Sequence, residues 1–126
     1  MRITTVFRRL LGVISTSVED VVLKGKEVIV DVKPRWRRPR CPECGEVGTI
    51  HETREPRFWR DLAFGETVTL LRYAARRVAC EDCGVHVESV PWAAPKSRFT
   101  RRMEELVAYL AQQMSKTAVC KLAGID

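Results

Sequence analysis

Cys41-Pro42-Glu43-Cys44-Gly45 and Cys80-Glu81-Asp82-Cys83-Gly84 are the two turns around which this chain is predicted to fold. Two thiolates separated by two residues can reach one ion from a tight turn, and the glycine that follows permits the positive φ that such a turn often needs. Two of these turns supply the tetrahedral sulfur ligands of a closed structural Zn²⁺ site. The 35 residues between the two pairs exceed the roughly 15–20 of the compact pattern, so a hairpin must be inserted there. The predicted cofactor is Zn²⁺, and its predicted ligands are Cys41, Cys44, Cys80 and Cys83.

The same four cysteines admit other chemistry. A rubredoxin-like iron site uses the same kind of turn, and the sequence leaves zinc and iron open. Disulfides are disfavoured because the chain shows no secretory signal and cytosolic thiols stay reduced. A redox Cys-x-x-Cys pair usually lies near a βαβ pattern, which the sequence does not show. His51 and His86 are not expected to be ligands, because four thiolates already complete a tetrahedron.

Positive charge is concentrated in two short stretches. The chain carries 22 lysine and arginine residues against 16 acidic ones, a formal net charge of +6. Lys33 to Arg40 holds five positive residues and Lys96 to Arg102 holds four, with no acid in either stretch. Such clusters attract polyanions, most commonly nucleic acid, although a charged surface can also serve solubility alone. The predicted DNA-binding residues are Arg35, Trp36, Arg37, Arg38, Arg40, Arg76, Arg77, Lys96, Arg98, Arg101 and Arg102.

The first basic stretch is bracketed by Pro34 and Pro39, which hold it extended and deny it regular strand pairing. An extended basic arm could follow a phosphate backbone and stack Trp36 on a base. Trp36 could equally pack into the core, and the sequence leaves both roles open.

The apolar segments of the chain are short. No apolar run approaches the roughly 18 residues of a membrane span, and Arg8 and Arg9 interrupt the apolar N-terminal stretch. We therefore expect a cytoplasmic protein with no membrane partner.

Periodicity predicts an α+β chain, in which a small β-rich zinc ribbon is followed by a C-terminal helical hairpin. Apolar residues between Val6 and Ile14 recur at helical spacing. Alternating, aromatic or β-branched runs predict strands near residues 18–23, 27–33, 58–62, 67–73 and 85–90. Phe58, Trp59 and Leu62 predict an aromatic inner face on the third of these strands. Lys24-Gly25-Lys26 and Phe64-Gly65-Glu66 are interpreted as the turns of two hairpins. Pro91 to Pro95 breaks the strand pattern and is interpreted as a boundary. The predicted units are an N-terminal helix or extension at 1–17, a zinc ribbon at 18–92 and a partial helix-turn-helix at 96–126.

The C-terminal stretch carries helix-start and helix-stop signals. Thr100 is placed to cap a helix whose apolar face runs from Met103 to Met114, and Ser115 to cap a second helix that Gly124 ends. Two such helices match the first part of a helix-turn-helix motif, although any helical hairpin gives the same pattern. Cys120 lies on the second helix, where a small buried apolar role is the expectation.

The chain resembles a known family in the order of several short motifs. These motifs are the Cys-Pro-x-Cys-Gly turn, an aromatic and basic hairpin, Arg76-Arg77-Val78-Ala79-Cys80-x-x-Cys83-Gly84, Glu88-Ser89-Val90-Pro91-Trp92-Ala93, Arg98-Phe99-Thr100, Met114-Ser115-Lys116-Thr117-Ala118-Val119 and Leu122-Ala123-Gly124-Ile125. From about Val18 to Asp126 the chain is similar to the N-terminal part of the insertion-sequence transposases called the ISL-three family. The cysteine turns alone are unspecific, whereas the run from Arg76 to Ile125 is specific.

This resemblance implies a DNA-binding function. Family members begin with a zinc ribbon and a helix-turn-helix that bind the transposon's terminal repeats, and a long catalytic domain follows. It implies that the four cysteines bind zinc and that 100–113 and 115–123 form the first two helices of the DNA-binding unit. The helix that would read base edges and the catalytic domain lie beyond this sequence. We therefore expect a non-enzymatic fragment, either a natural remnant or a shortened chain, that binds double-stranded DNA at transposon ends mainly through phosphates. Self-association through exposed helix faces is the alternative.

Overall fold

The computed structural model describes residues 2–125, so that Met1 and Asp126, the outer ends of the predicted first and last units, lie outside it. The elements are α1 (Ile3–Leu11), β1 (Thr16–Lys24), β2 (Glu27–Pro34), β3 (Thr49–Thr53), β4 (Arg57–Phe64), β5 (Thr67–Tyr73), β6 (Arg76–Cys80), β7 (Gly84–Val87), α2 (Arg101–Gln113) and α3 (Lys116–Ala123). The predicted α+β class, a β-rich region with a cysteine cluster followed by C-terminal helices, is confirmed.

The strands form two sheets. The larger sheet has the order β1-β2-β5-β4, in which β2 and β5 are parallel and the other neighbours are antiparallel. The smaller sheet has the order β3-β6-β7 and is antiparallel throughout. The hairpin that the cysteine spacing requires, β4–β5, therefore pairs with β2 in the larger sheet, while β6 and β7 bracket the second cysteine turn.

The core lies against one face of the larger sheet. Val28, Val30 and Val32 alternate along β2 and are all buried, as the period-2 pattern predicted. Trp59 of β4 and Trp92 are each 1% exposed, and their rings meet edge to face at 5.4 Å. Burial of two large aromatic side chains with this geometry makes the tryptophan pair the central packing contact.

The segment Pro91 to Pro95, interpreted as a boundary, contributes Trp92 and Ala93 to the core. Two expectations about single positions were wrong. Phe58 was assigned to an aromatic inner face, but it is exposed because it alternates with the inward Trp59. Ile14 is 82% exposed and lies beyond the end of α1 at Gly12.

The two C-terminal helices begin where the sequence predicts. The Thr100 hydroxyl accepts a hydrogen bond from the Met103 amide, and the Ser115 hydroxyl accepts one from the Ala118 amide. Gly124 ends α3 in the left-handed conformation that glycine adopts without strain. No helix within residues 2–125 has the length and apolar character that crossing a membrane requires.

Candidate metal centre and nucleic-acid interface

The two cysteine turns have the backbone geometry of metal-binding knuckles. In the first, the Gly45 amide donates to the Cys41 carbonyl at 2.9 Å, which closes the turn over the pair. Gly45 and Gly84 both have positive φ, 77° and 85°, where a side chain would be strained. The signal that predicted these turns, a glycine after each second cysteine, is therefore explained by the backbone conformation.

The four predicted ligands come together. The Sγ atoms of Cys41, Cys44, Cys80 and Cys83 all lie within 4.8 Å of one another, and those of Cys44 and Cys80 are 3.6 Å apart. A tetrahedral ion with Zn–S bonds of about 2.3 Å would place its sulfurs about 3.8 Å apart. The cluster therefore has the size and the donor set of a metal site. The cysteines are not disulfide-bonded.

Proton affinity within the cluster is uneven. A hydrogen bond from the Cys44 backbone amide is the main cause that lowers the pKa of Cys41 to about 7. Hydrogen bonding with the Cys44 side chain is the main cause that raises the pKa of Cys83 to about 12. Crowded thiolates repel one another, so they cannot all lose their protons unless a cation compensates their charge. A bound divalent ion supplies that charge and releases the protons.

Two residues near the cysteine turns, His86 and Gly48, contact the backbone that holds the ligands. His86 Nε2 lies 2.7 Å from the Cys83 carbonyl oxygen, so His86 contacts the knuckle backbone rather than the sulfurs. Gly48 passes so close to β6 that an added Cβ would lie 2.6 Å from the Ala79 carbonyl oxygen. The chain after the first knuckle can therefore approach β6 closely enough to bring the two cysteine pairs together.

The basic residues of the first cluster are arranged around one aromatic ring. Arg35, Arg37, Arg38 and Arg40 are exposed, and the guanidinium of Arg40 lies 4.3 Å from the centre of the Trp36 ring. Trp36 is half-buried, and its indole N–H has no hydrogen-bond partner within residues 2–125. Trp36 is therefore neither fully buried in the core nor fully exposed for stacking on a base, and Arg40 covers one face of its ring.

Two of the predicted DNA-binding arginines form ion pairs with buried carboxylates. Arg76 pairs with Glu88, whose side chain is 0% exposed, and Arg102 pairs with Asp61, which is 1% exposed. These pairings raise the pKa of both guanidinium groups through hydrogen bonds to the carboxylates. Arg76 and Arg102 are therefore the least available of the predicted set for phosphate contacts.

The remaining predicted residues are more accessible. Lys96, Arg98 and Arg101 are exposed, and Arg77 forms a half-exposed ion pair with Glu52 at 3.1 Å. The ion-pair roles of Asp61 and Glu88 were not predicted, because one acidic residue in a sequence gives no signal of its partner. Their roles depend on pairing across about 40 and 12 residues of chain, respectively.

Comparisons with known proteins agree with this geometry. Residues 37–83 match the zinc-finger of transposase IS204/IS1001/IS1096/IS1165, and residues 88–126 match the helix-turn-helix domain of transposase family ISL3. The chain belongs to this ISL3 transposase family. The first matched region holds the cysteine cluster and the second holds α2 and α3, so the predicted family and motifs are confirmed.

Curated relatives of this ISL3-family chain are longer proteins. Two are transposases for insertion sequence element IS1557 from Mycobacterium tuberculosis, strains CDC 1551 / Oshkosh and ATCC 25618 / H37Rv, each 37% identical over 99% of this chain. A third is the transposase for insertion sequence element IS1001 from Bordetella parapertussis, 30% identical over 77% of the chain. The chain spans 30% of the length of the first two and 24% of the third. No solved structure matches it.

Proposed function

We propose that this chain binds double-stranded DNA at transposon ends, with a zinc ribbon and the α2–α3 helices presenting basic residues to the phosphates. The observation that carries the proposal is the pairing of a four-sulfur cluster with a helix-turn-helix region of an ISL3-family transposase. Zinc is the proposed ion, bound by Cys41, Cys44, Cys80 and Cys83. We assign the described residues a binding role and no catalytic step, and we place the protein in the cytoplasm, where thiolates stay reduced.

Charge and exposure support phosphate contacts at a defined set of residues. The accessible members of the predicted set lie on the two basic stretches and beside the ribbon: Arg35, Arg37, Arg38, Arg40, Arg77, Lys96, Arg98 and Arg101. Contacts of this kind position a protein on DNA without specifying its sequence. The proposed affinity is that of non-specific duplex contacts, with Kd on the order of 10⁻⁴–10⁻⁶ M at physiological salt.

A salt titration tests this function. Fluorescence anisotropy with a labelled duplex should show log K falling linearly with log salt, by about 0.9 for each phosphate that is neutralised. A duplex that carries a transposon end should bind no more than a few fold more tightly than a scrambled duplex. An affinity that is independent of salt, or a preference of several orders of magnitude for one sequence, would contradict the proposal.

The nature of the metal is tested separately. The zinc assignment predicts a colourless protein with one zinc per chain by mass spectrometry, because Zn²⁺ has a filled d shell. A coloured protein that contains iron would support the rubredoxin-like alternative instead.

Self-association is a second candidate, favoured by the exposed outer face of the helices. Tyr109 and Leu122 are 61% and 66% exposed, and Leu106 is 38% exposed. Apolar side chains grouped on one face invite association with a second copy. Light scattering after size exclusion distinguishes the two candidates, because a monomer that binds duplex supports the first and a dimer without DNA affinity supports the second.

A further inference from the structure

A cleft separates the cysteine ribbon from the rest of the molecule, and no motif of the sequence predicts it. Its volume is about 630 Å³, which lies within the usual range of ligand-binding clefts. Trp59 and Ala75, both buried, form part of its lining, and His86 and Val87 of β7 line the ribbon side. The cleft is therefore bounded by both sheets.

Four cations line this cleft. They are Arg54 and Arg57 beside the start of β4, Arg77 of β6 and Lys96 of the loop before α2. Arg77 is paired with Glu52, but no carboxylate within residues 2–125 forms an ion pair with Arg54, Arg57 or Lys96. Of the two acids in the lining, Glu88 is neutralised by Arg76, which leaves only Glu43 at the mouth. An adjoining hollow adds Glu55. The cleft retains an excess of uncompensated positive charge.

Arg57 is held in the cleft in an unusual way. Its guanidinium donates to the Ser97 carbonyl oxygen at 2.6 Å and lies 4.7 Å from the centre of the Trp59 ring. These contacts fix its direction but leave its charge without a counter-ion. Burial and the positive charge of Arg54 lower the pKa of Arg57. Both arginines line the cleft and neither has an ion-pair partner within residues 2–125, so a bound anion would supply the missing negative charge.

We propose that this cleft binds a phosphodiester group of one DNA strand, held by Arg54 and Arg57 with Lys96 at the rim. The inference rests on the proposed DNA-binding function and adds Arg54 and Arg57, which lie outside the two basic stretches. Planar guanidinium groups bind phosphate oxygens in pairs, which a single surface lysine cannot do. The size of the cleft suits the backbone of one strand, with the rest of the duplex outside.

The test compares two double variants that remove the same charge. Arg54→Gln/Arg57→Gln removes the two guanidinium groups of the cleft that have no ion-pair partner within residues 2–125, whereas Lys24→Gln/Lys26→Gln removes two exposed charges at the β1–β2 turn. The probe is a short fluorescein-labelled duplex of arbitrary sequence, titrated at several salt concentrations. The cleft variant should bind at least tenfold more weakly at low salt. The slope of log K against log salt should fall by about 0.9, the value for one lost phosphate contact. The control variant should leave that slope unchanged.

The outcomes separate this inference from the function on which it rests. If the unaltered chain does not bind duplex, both proposals fail. If it binds duplex but the two variants behave alike, the cleft inference alone is overturned. Inorganic phosphate serves as a competitor in the same titration. If it weakens duplex binding by the unaltered chain and by the cleft variant to the same extent, the cleft inference is also overturned. If the double variant loses its zinc or its fold, the single variants Arg54→Gln and Lys96→Gln are tested instead. Each should bind duplex threefold more weakly than the unaltered chain. No loss of affinity in either would overturn the proposal.

Discussion

At the scale of single residues, one buried carboxylate joins the ribbon to the main core. Glu88 accepts hydrogen bonds from the Tyr73 hydroxyl, the Arg76 amide and the Arg76 guanidinium, at distances of 2.7–2.9 Å. The same guanidinium also donates to the Arg37 carbonyl oxygen at 2.8 Å. Burial raises the pKa of Tyr73, which keeps its hydroxyl a donor to this carboxylate. Glu88 therefore connects β5, β6 and the first basic stretch.

The Glu88→Gln variant should lose about 3 kcal/mol of unfolding free energy, because breaking a buried ion pair leaves an uncompensated charge. The Arg76 side chain is only 17% exposed, so water cannot fully replace the carboxylate. Tyr73→Phe is the matched control, since it removes one hydrogen bond and should cost about 1 kcal/mol. Urea unfolding measures both variants. Equal losses in the two would show that the ion pair does not contribute as argued.

At the scale of elements, α2 is attached to the larger sheet by a second buried acid. Asp61 of β4 accepts hydrogen bonds from the Thr100 hydroxyl at 2.7 Å and from Arg102 at 2.6 and 2.8 Å. Next to it, Arg60 donates to the carbonyl oxygens of Ala123 and Gly124 at the end of α3. Neighbouring residues of one strand thus hold the beginning of one helix and the end of the other.

The Asp61→Asn variant should therefore loosen α2 more than it loosens the sheet. We expect a loss of about 3 kcal/mol, as for other broken buried ion pairs, and faster hydrogen exchange in α2 than in β2. Asp31→Asn is the control, because it also breaks a two-bond arginine pair, with Arg72, but one that is about a third exposed. Its loss should stay below about 1 kcal/mol. Uniform acceleration of exchange across the chain would argue against a local role for Asp61.

Much of the element order could be predicted from the sequence, but the neighbours of each strand could not. Alternation identified β2, and turn residues identified the β1–β2 and β4–β5 hairpins. The parallel pairing of β2 with β5 was not predicted, because periodicity shows which face is buried and not which strand lies beside it. Strand β3 was missed because all five of its residues are exposed, so it shows no burial pattern.

Of the two candidate sites, the metal centre could be predicted from the sequence and the cleft could not. The four cysteines were found because their spacing directly encodes the geometry of the turns. Arg54 and Arg57 were missed because Glu52 and Glu55 lie beside them in the sequence, which gives the segment no net positive charge. Only the fold shows that Glu52 pairs with Arg77 and that Arg54 and Arg57 both line the cleft.

At the scale of the whole molecule, the Glu88 network joins the smaller sheet to the larger one. Glu88 accepts hydrogen bonds from Tyr73 of β5 and from Arg76 of β6. Domains that share buried contacts of this kind unfold together rather than in sequence. The predicted unit boundaries at 18–92 and 96–126 remain a proposal, and Asp61 of the first unit accepts hydrogen bonds from Thr100 and Arg102 of the second.

Removing the metal should therefore destabilise the entire chain. Because the binding free energy of the ion is also folding free energy, a strong chelator should lower the Tm in a single transition. Circular dichroism of the helices and tryptophan fluorescence of the core should report the same midpoint. Cys80→Ser should reproduce the effect, whereas Cys120→Ser, which lies outside the cluster, should not. Two separate transitions would show that the ribbon unfolds independently of the core.

The order of the strands along the chain has a consequence for biosynthesis. All four strands of the larger sheet end by Tyr73, and the second pair of cysteines follows them. On the ribosome, these strands are therefore synthesised while only Cys41 and Cys44 of the cluster are available. The core residues Val90, Trp92 and Ala93 follow Cys83, so the larger sheet acquires its packed face only once all four sulfurs have been synthesised. Completion of the core and assembly of the metal site are therefore expected at the same stage of synthesis.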